Sequence, residues 1–355
     1  MKDDKYYKLL YLARSSVGYE EKFDNLDEVV SLINEIKYYS LIHKRIISLI
    51  KSKAVRLNIF TLLSSDVQRY LNDTNNQAVV SEMIKREQLN KIVKLFSKDN
   101  IDIILLKGMA FNYSLYTDTS PRVSNDIDIL VKEKDWLKAK EILNSIMKPL
   151  TINNAQVFDD LYETTFIPEN KFGAVVDLHK SLIHPILFNI KEQDIWMNSH
   201  ALREFDGQSV RVLSPEHNLV HQALHAYKDM EFSKYNLVDT YEIMKIRNIN
   251  LNKAIAISEQ WGAKVPLYFL LQQCVSVMGL TIEREVLQSI SPNNITKLIA
   301  NKLLNSEHSK LKTNKKSIKY RINQLISQFI FTSSFRRPIN FQWLYLKTAI
   351  NQFKK

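Results

Sequence analysis

Two carboxylates, Asp126 and Asp128, stand in the apolar run Ile127, Ile129, Leu130 and Val131, a pattern that predicts a short buried strand. Strand side chains alternate between faces, so acids at i and i+2 point the same way and can share one hard cation. Upstream, Lys107-Gly108 lies where an apolar strand ending at Leu106 gives way to a helical run, Met109 to Tyr116. The backbone amides that open such a helix can hold an anion such as phosphate. A third acid, Asp177, sits in the β-branched run Ala174 to His179 (AVVDLH). Buried and unpaired it would be costly, and converging on the Asp126/Asp128 pair would give it a cation. His179 shares the face of Asp177 by the same alternation. Carboxylates beside a phosphate cradle are the equipment of Mg-nucleotide chemistry.

Holding these groups together requires strands, and the chain reads as strands only in its middle. Residues 1 to 100 read as helices packed on apolar stripes, Leu26 to Ser52 and Gln77 to Lys98, with Asn72 to Asn76 (NDTNN) as a loop between helices. This region is expected to carry no chemistry. From 101 to 213 the pattern alternates: strands over Ile101 to Leu106, Ile127 to Val131, Thr164 to Ile167 and Ala174 to His179, helices over Met109 to Tyr116 and Lys134 to Ile146, and a β-hairpin turning at Asp206-Gly207. From 214 to 355 the helical pattern returns, opened by Ser214 as N-cap and Pro215 at the first helical position. The expected fold is therefore α+β, a small mixed sheet flanked by largely helical N- and C-terminal regions.

Composition narrows the class. Six glycines and eight prolines in 355 residues favour long helices over a loop-rich β fold. The lone cysteine, Cys274, excludes an intramolecular disulfide framework and a Cys-based zinc cluster. No clean apolar signal region opens the chain, and no apolar run reaches the length of a membrane span; the reading is a soluble, cytoplasmic protein. The net charge of +11 is concentrated at one end, with thirteen Lys/Arg against the single acid Glu307 from Val286 onward. That tail is a solvated face, or a surface for nucleic-acid phosphates or an acidic partner. Its aromatics, Tyr320, Phe329, Phe331, Phe335, Phe341 and Trp343, are expected in the core. His217, His221 and His225 form one helical stripe; without Cys or a carboxylate at a metal spacing it reads as structural or substrate-facing rather than as a zinc site.

LLKG (Leu105 to Gly108), the Leu115-Tyr116 pair, Arg122, DIDILV (Asp126 to Val131), VDLH (Val176 to His179) and LSPEHNLVHQALH (Leu213 to His225) occur in that order. This ordered set resembles the nucleotidyltransferase superfamily related to DNA polymerase beta, and more closely a group of uncharacterised bacterial nucleotidyltransferases. The resemblance spans about 100 to 230. It implies a metal-dependent enzyme that transfers an NMP from an NTP, ATP among them, to an oxygen on a small molecule, peptide or protein. Asp126, Asp128 and Asp177 would be the catalytic and metal residues, with Mg2+ or Mn2+ as the ion, and Lys107, Gly108, Arg122 and His179 would line the nucleotide site. One departure stands out. The wider superfamily has Gly-Ser or Gly-Gly at the phosphate turn, whereas Met109 follows Gly108 here. Two alternatives remain open: a toxin-like transferase acting on RNA, similar in KG…R-x-S-x-D-x-D and served by the basic tail, and a non-catalytic nucleotide-binding protein.

Overall fold

A computed structural model describes residues 2–15, 18–38, 44–116, 122–150, 162–170, 172–205, 209–230, 232, 234–246, 249–305 and 318–353. Four helices come first: α1 (Lys2–Leu12), α2 (Leu26–Asn34), α3 (Lys44–Arg56) and α4 (Ser65–Lys98). The central part runs β1 (Ile103–Leu106), α5 (Lys107–Ser114), β2 (Asp126–Leu130), α6 (Trp136–Asn144), β3 (Met147–Pro149), β4 (Glu163–Pro168), β5 (Val175–His179), α7 (Glu192–Asn198), β6 (His200–Ala201) and β7 (Val210–Val212). Helices then follow: α8 (Pro215–Asp229), α9 (Asn236–Lys245), α10 (Leu251–Trp261), α11 (Lys264–Met278), α12 (Arg284–Ser289), α13 (Asn294–Asn305), α14 (Ile318–Phe331) and α15 (Arg336–Phe353).

The fold is α+β, as the alternating middle of the sequence predicts. Among the described residues, seven strands form one mixed sheet in the order β3-β4-β5-β2-β1-β7-β6. β2 pairs antiparallel with β1 and parallel with β5, while β1 pairs parallel with β7. Alternation divides the sheet between two cores. Ile127 and Ile129 face one that includes Leu89, Ile92 and Phe96 of α4 and Trp136 and Leu143 of α6. Leu130, Ile104 and Leu106 face the other, which takes in α1 to α3 and most of the C-terminal helices. Asp126 and Asp128 are therefore on the second side, beneath α8.

Three expectations are corrected. NDTNN is not a loop but lies inside α4, which is unbroken for 34 residues. Buried positions recur at Val67, Leu71, Thr74, Ala78, Glu82, Lys85, Leu89 and Ile92, so the helical period passes straight through the polar stretch, and packing overrides the weak helix propensity of Asn. The hairpin is formed by β6 and β7, but β6 precedes the predicted segment, and Arg203–Phe205 is a 3-10 turn rather than strand; the Asp206-Gly207 tip lies outside the described residues. The tail aromatics also divide. Phe331 is buried and stacks on Phe232 at 5.4 Å, and Phe341 meets the edge of His184 at 4.7 Å, whereas Phe335 and Trp343 are exposed. The side chain of Tyr320 lies outside the described residues. No helix among the described residues is long and apolar enough to cross a membrane.

Candidate active site

The parallel register of β2 and β5 sets Asp128 beside Asp177 and Leu130 beside His179. Side chains at neighbouring positions of adjacent strands share a face and stand about 5 Å apart, so two acids meet across the ladder and the histidine follows on the same side. Donor atoms of Asp128, Asp177 and His179 lie within 4.8 Å of one another, the potential metal-binding group among the described residues. Asp126, two positions along β2, is outside that group. It lines an adjoining cavity of about 150 Å³ with Lys107, Gly108, Arg122, Gln222, His225, Asp229, Tyr235 and Asn236.

Asp128 is 1% exposed. Burial alone would push its carboxyl upward; the Lys107 ammonium, 2.5 Å from Oδ1, and His179 Nε2, 3.0 Å from the same oxygen, more than offset this and hold it well below the usual carboxylate range. Asp177 behaves oppositely. Burial and the charge of Asp128 raise it, although Thr165 Oγ1 donates to its Oδ1 at 2.6 Å. Two like carboxylates are thus pushed apart by environment, one held ionised and one made more basic.

Lys107 is the first residue of α5, with φ of +50°. A non-glycine residue in the left-handed region costs of order 1 kcal/mol and clusters at functional sites; here it accompanies the ammonium's contact with Asp128. Gly108 follows because nothing larger fits: a Cβ there would come within 2.4 Å of Ser124 Cβ and 2.6 Å of Arg122 Nη1. Met109 is buried in the core and adds no hydroxyl to the cradle.

Arg122 lines the cavity, yet its guanidinium is already engaged. Nε and Nη2 bind the two carboxylate oxygens of Asp239 in α9 at 3.0 and 2.5 Å, and Tyr116 donates to the same Asp239 at 2.8 Å. Arg122 therefore ties the turn before β2 to the C-terminal helices. His217 is structural, bonded to Ser214 Oγ at 2.8 Å and to Asp194 at 3.0 Å. His221 and His225 face the site: burial and then the nearby Lys107 charge lower both, His221 to about 3, and His225 Nδ1 lies 3.5 Å from Asp229 Oδ2.

Several residues that serve this site escape a linear reading. Glu82 and Lys85 of α4 are buried and paired with each other. Lys85 donates to Ser124 O at 2.5 Å and is 2.9 Å from Ser124 Oγ, while Glu82 accepts from Ser124 N at 3.2 Å and from Asn112 Nδ2 at 2.9 Å. Together they mould the turn leading into Asp126. Glu163, opposite His179 on β4, binds Lys228 of α8 at 2.9 Å. The available signal was positional, since 82 and 85 fall on the apolar stripe of α4, where unpaired charges do not belong.

The donor set suits a divalent cation: one firmly ionised carboxylate, a second beside it and an imidazole within mutual reach. Comparison with known proteins agrees with this chemistry. The family model described as uncharacterised nucleotidyltransferase matches residues 38–279, well over half of the chain and every strand of the sheet. A search of the curated proteins finds no match.

Proposed function

Because the chain belongs to the uncharacterised nucleotidyltransferase family, we propose that it transfers an NMP from an NTP to an oxygen of a small-molecule, peptide or protein acceptor. The observation that carries this reading is the Asp128–Asp177–His179 cluster beside the N-terminal end of α5, whose first residue, Lys107, contacts Asp128. Asp128 and Asp177 would hold a divalent ion, Mg2+ or Mn2+, with Asp126 at the cavity edge; bound there it would supply the positive charge that phosphoryl transfer needs at the α-phosphate.

The remaining work falls to the chain's own groups. Lys107 and the α5 amides bind the polyphosphate in the adjoining cavity. Asp177, beside Asp128 across the β2–β5 ladder, accepts the proton of the acceptor hydroxyl. The acceptor oxygen bonds to the α-phosphorus, the bond to the bridging oxygen of the β-phosphate breaks, and pyrophosphate leaves.

The test is pyrophosphate release and transfer of α-labelled NMP, with each of the four NTPs, from wild type, Asp128→Asn and Asp177→Asn, in Mg2+ and in EDTA. Wild type with Mg2+ is expected to release pyrophosphate, with losses of about a hundredfold or more in either variant. Nucleotide binding without release would make this a binding protein. Absence of both, with variants indistinguishable from wild type, would end the proposal.

A further inference from the structure

His179 touches more than Asp128. Its ring lies on a line of alternating charge: Asp128 Oδ1 is 3.0 Å from Nε2, Glu163 Oε2 is 3.6 Å from Nδ1, and Lys228 Nζ is 2.9 Å from that same Glu163 oxygen. The ring is 1% exposed, and Nδ1 has no hydrogen-bond partner. A buried orphan ring nitrogen is costly, and the group facing it is a carboxylate a few tenths of an ångström beyond bonding distance. Lys228 holds the same Glu163 oxygen, so the carboxylate is fixed in place as the acceptor that faces Nδ1. A histidine whose one nitrogen faces a carboxylate and whose other faces an acidic pair has the surroundings of a metal ligand, because the carboxylate fixes the tautomer and raises the basicity of the free nitrogen.

We infer that His179 is itself a metal ligand through Nε2, that Glu163, held by Lys228, is the positioning residue that orients it, and that the centre is a two-carboxylate, one-imidazole site. The inference rests on the reading of a divalent-cation site at this cluster, and it adds an ion preference. Mg2+ favours all-oxygen surroundings, whereas an imidazole nitrogen shifts preference toward Mn2+ and later transition ions. Glu163 and Lys228 come from β4 and α8, so the C-terminal helices help to build the metal centre.

Pulsed electron paramagnetic resonance of the Mn2+-loaded full chain tests this without any turnover. Wild type is expected to show nitrogen coupling to Mn2+, absent in His179→Gln and retained in Asp126→Asn. Mn2+ should bind at least about tenfold more tightly than Mg2+ in wild type, the scale of one good ligand contact, and His179→Gln should narrow that ratio. Glu163→Gln should weaken Mn2+ binding while keeping the nitrogen coupling. Thermal melts of each variant separate loss of the ligand from loss of the fold. Mn2+ bound to folded wild type without nitrogen coupling, or with coupling unchanged in His179→Gln, would overturn the inference and leave the transferase proposal standing. Coupling with no transferase activity on any NTP would do the reverse.

Discussion

Lys107 occupies the carboxylate oxygen that a divalent ion would use, and this competition has a measurable consequence. With its ammonium 2.5 Å from Asp128 Oδ1, a divalent ion bound through that oxygen, as proposed, would displace it and leave the ammonium for phosphate. Lys107→Ala should therefore bind Mn2+ more tightly than wild type in the absence of nucleotide, while its affinity for NTP falls; calorimetry with and without NTP reads both. Unchanged metal affinity would mean that the two cations do not share the site. Gly108 makes a second prediction. The 2.4 Å approach of an added Cβ to Ser124 Cβ must be relieved by moving the turn that leads into Asp126, so Gly108→Ala should cost about 1–3 kcal/mol, measured by urea unfolding, together with much of the activity.

Among the elements, the Arg122–Asp239 pair joins the turn before β2 to α9. Both side chains are almost fully buried, and truncating one partner of such a pair strands the other charge. Arg122→Ala or Asp239→Ala should each cost about 3–5 kcal/mol, and the pair replaced together by apolar residues much less than the sum; a double-mutant cycle in urea checks this. The same contact explains what the sequence made legible. β1, α5, β2 and β5 were readable because their evidence is local: a period of two, an apolar run, and a Lys-Gly junction. The role of Arg122 was not, since its partner lies 117 residues away. Lys85 likewise reaches Ser124 across 39 residues, and a charge on an apolar stripe announces a partner without naming it. The register that pairs Asp128 with Asp177 is tertiary information too, and it brings His179 close to both acids while leaving Asp126 at the cavity wall.

For the molecule as a whole, the second core joins residues from Tyr6 to Phe331, so N- and C-terminal helices share one interior behind the sheet. Lys53 of α3 is fully buried within it, and burial, then the nearby Arg56 and Arg14, pulls its ammonium down to about 7. The folded value lies below the unfolded one of about 10.5; between the two, the unfolded chain holds more protons, and stability rises with pH. Lys53→Met should flatten that rise between pH 7 and pH 10, as measured by urea unfolding of both proteins at several pH values. A parallel rise in both would assign it to other groups.

Helix α4 runs from the shared core to the opposite face of the sheet, about 51 Å at 1.5 Å per residue, and carries Glu82 and Lys85 at the turn before Asp126. Each residue advances the helix by about 100°. One alanine inserted between Thr74 and Ala78 would leave every residue of the candidate site in place in the sequence, yet put the two halves of α4 out of phase. Either the Val67–Leu71 stripe or the Glu82–Lys85 pair would then face the wrong way. The candidate site thus depends on angular phase set some fifty residues before its first aspartate, and that phase is as much part of its specification as the acids themselves.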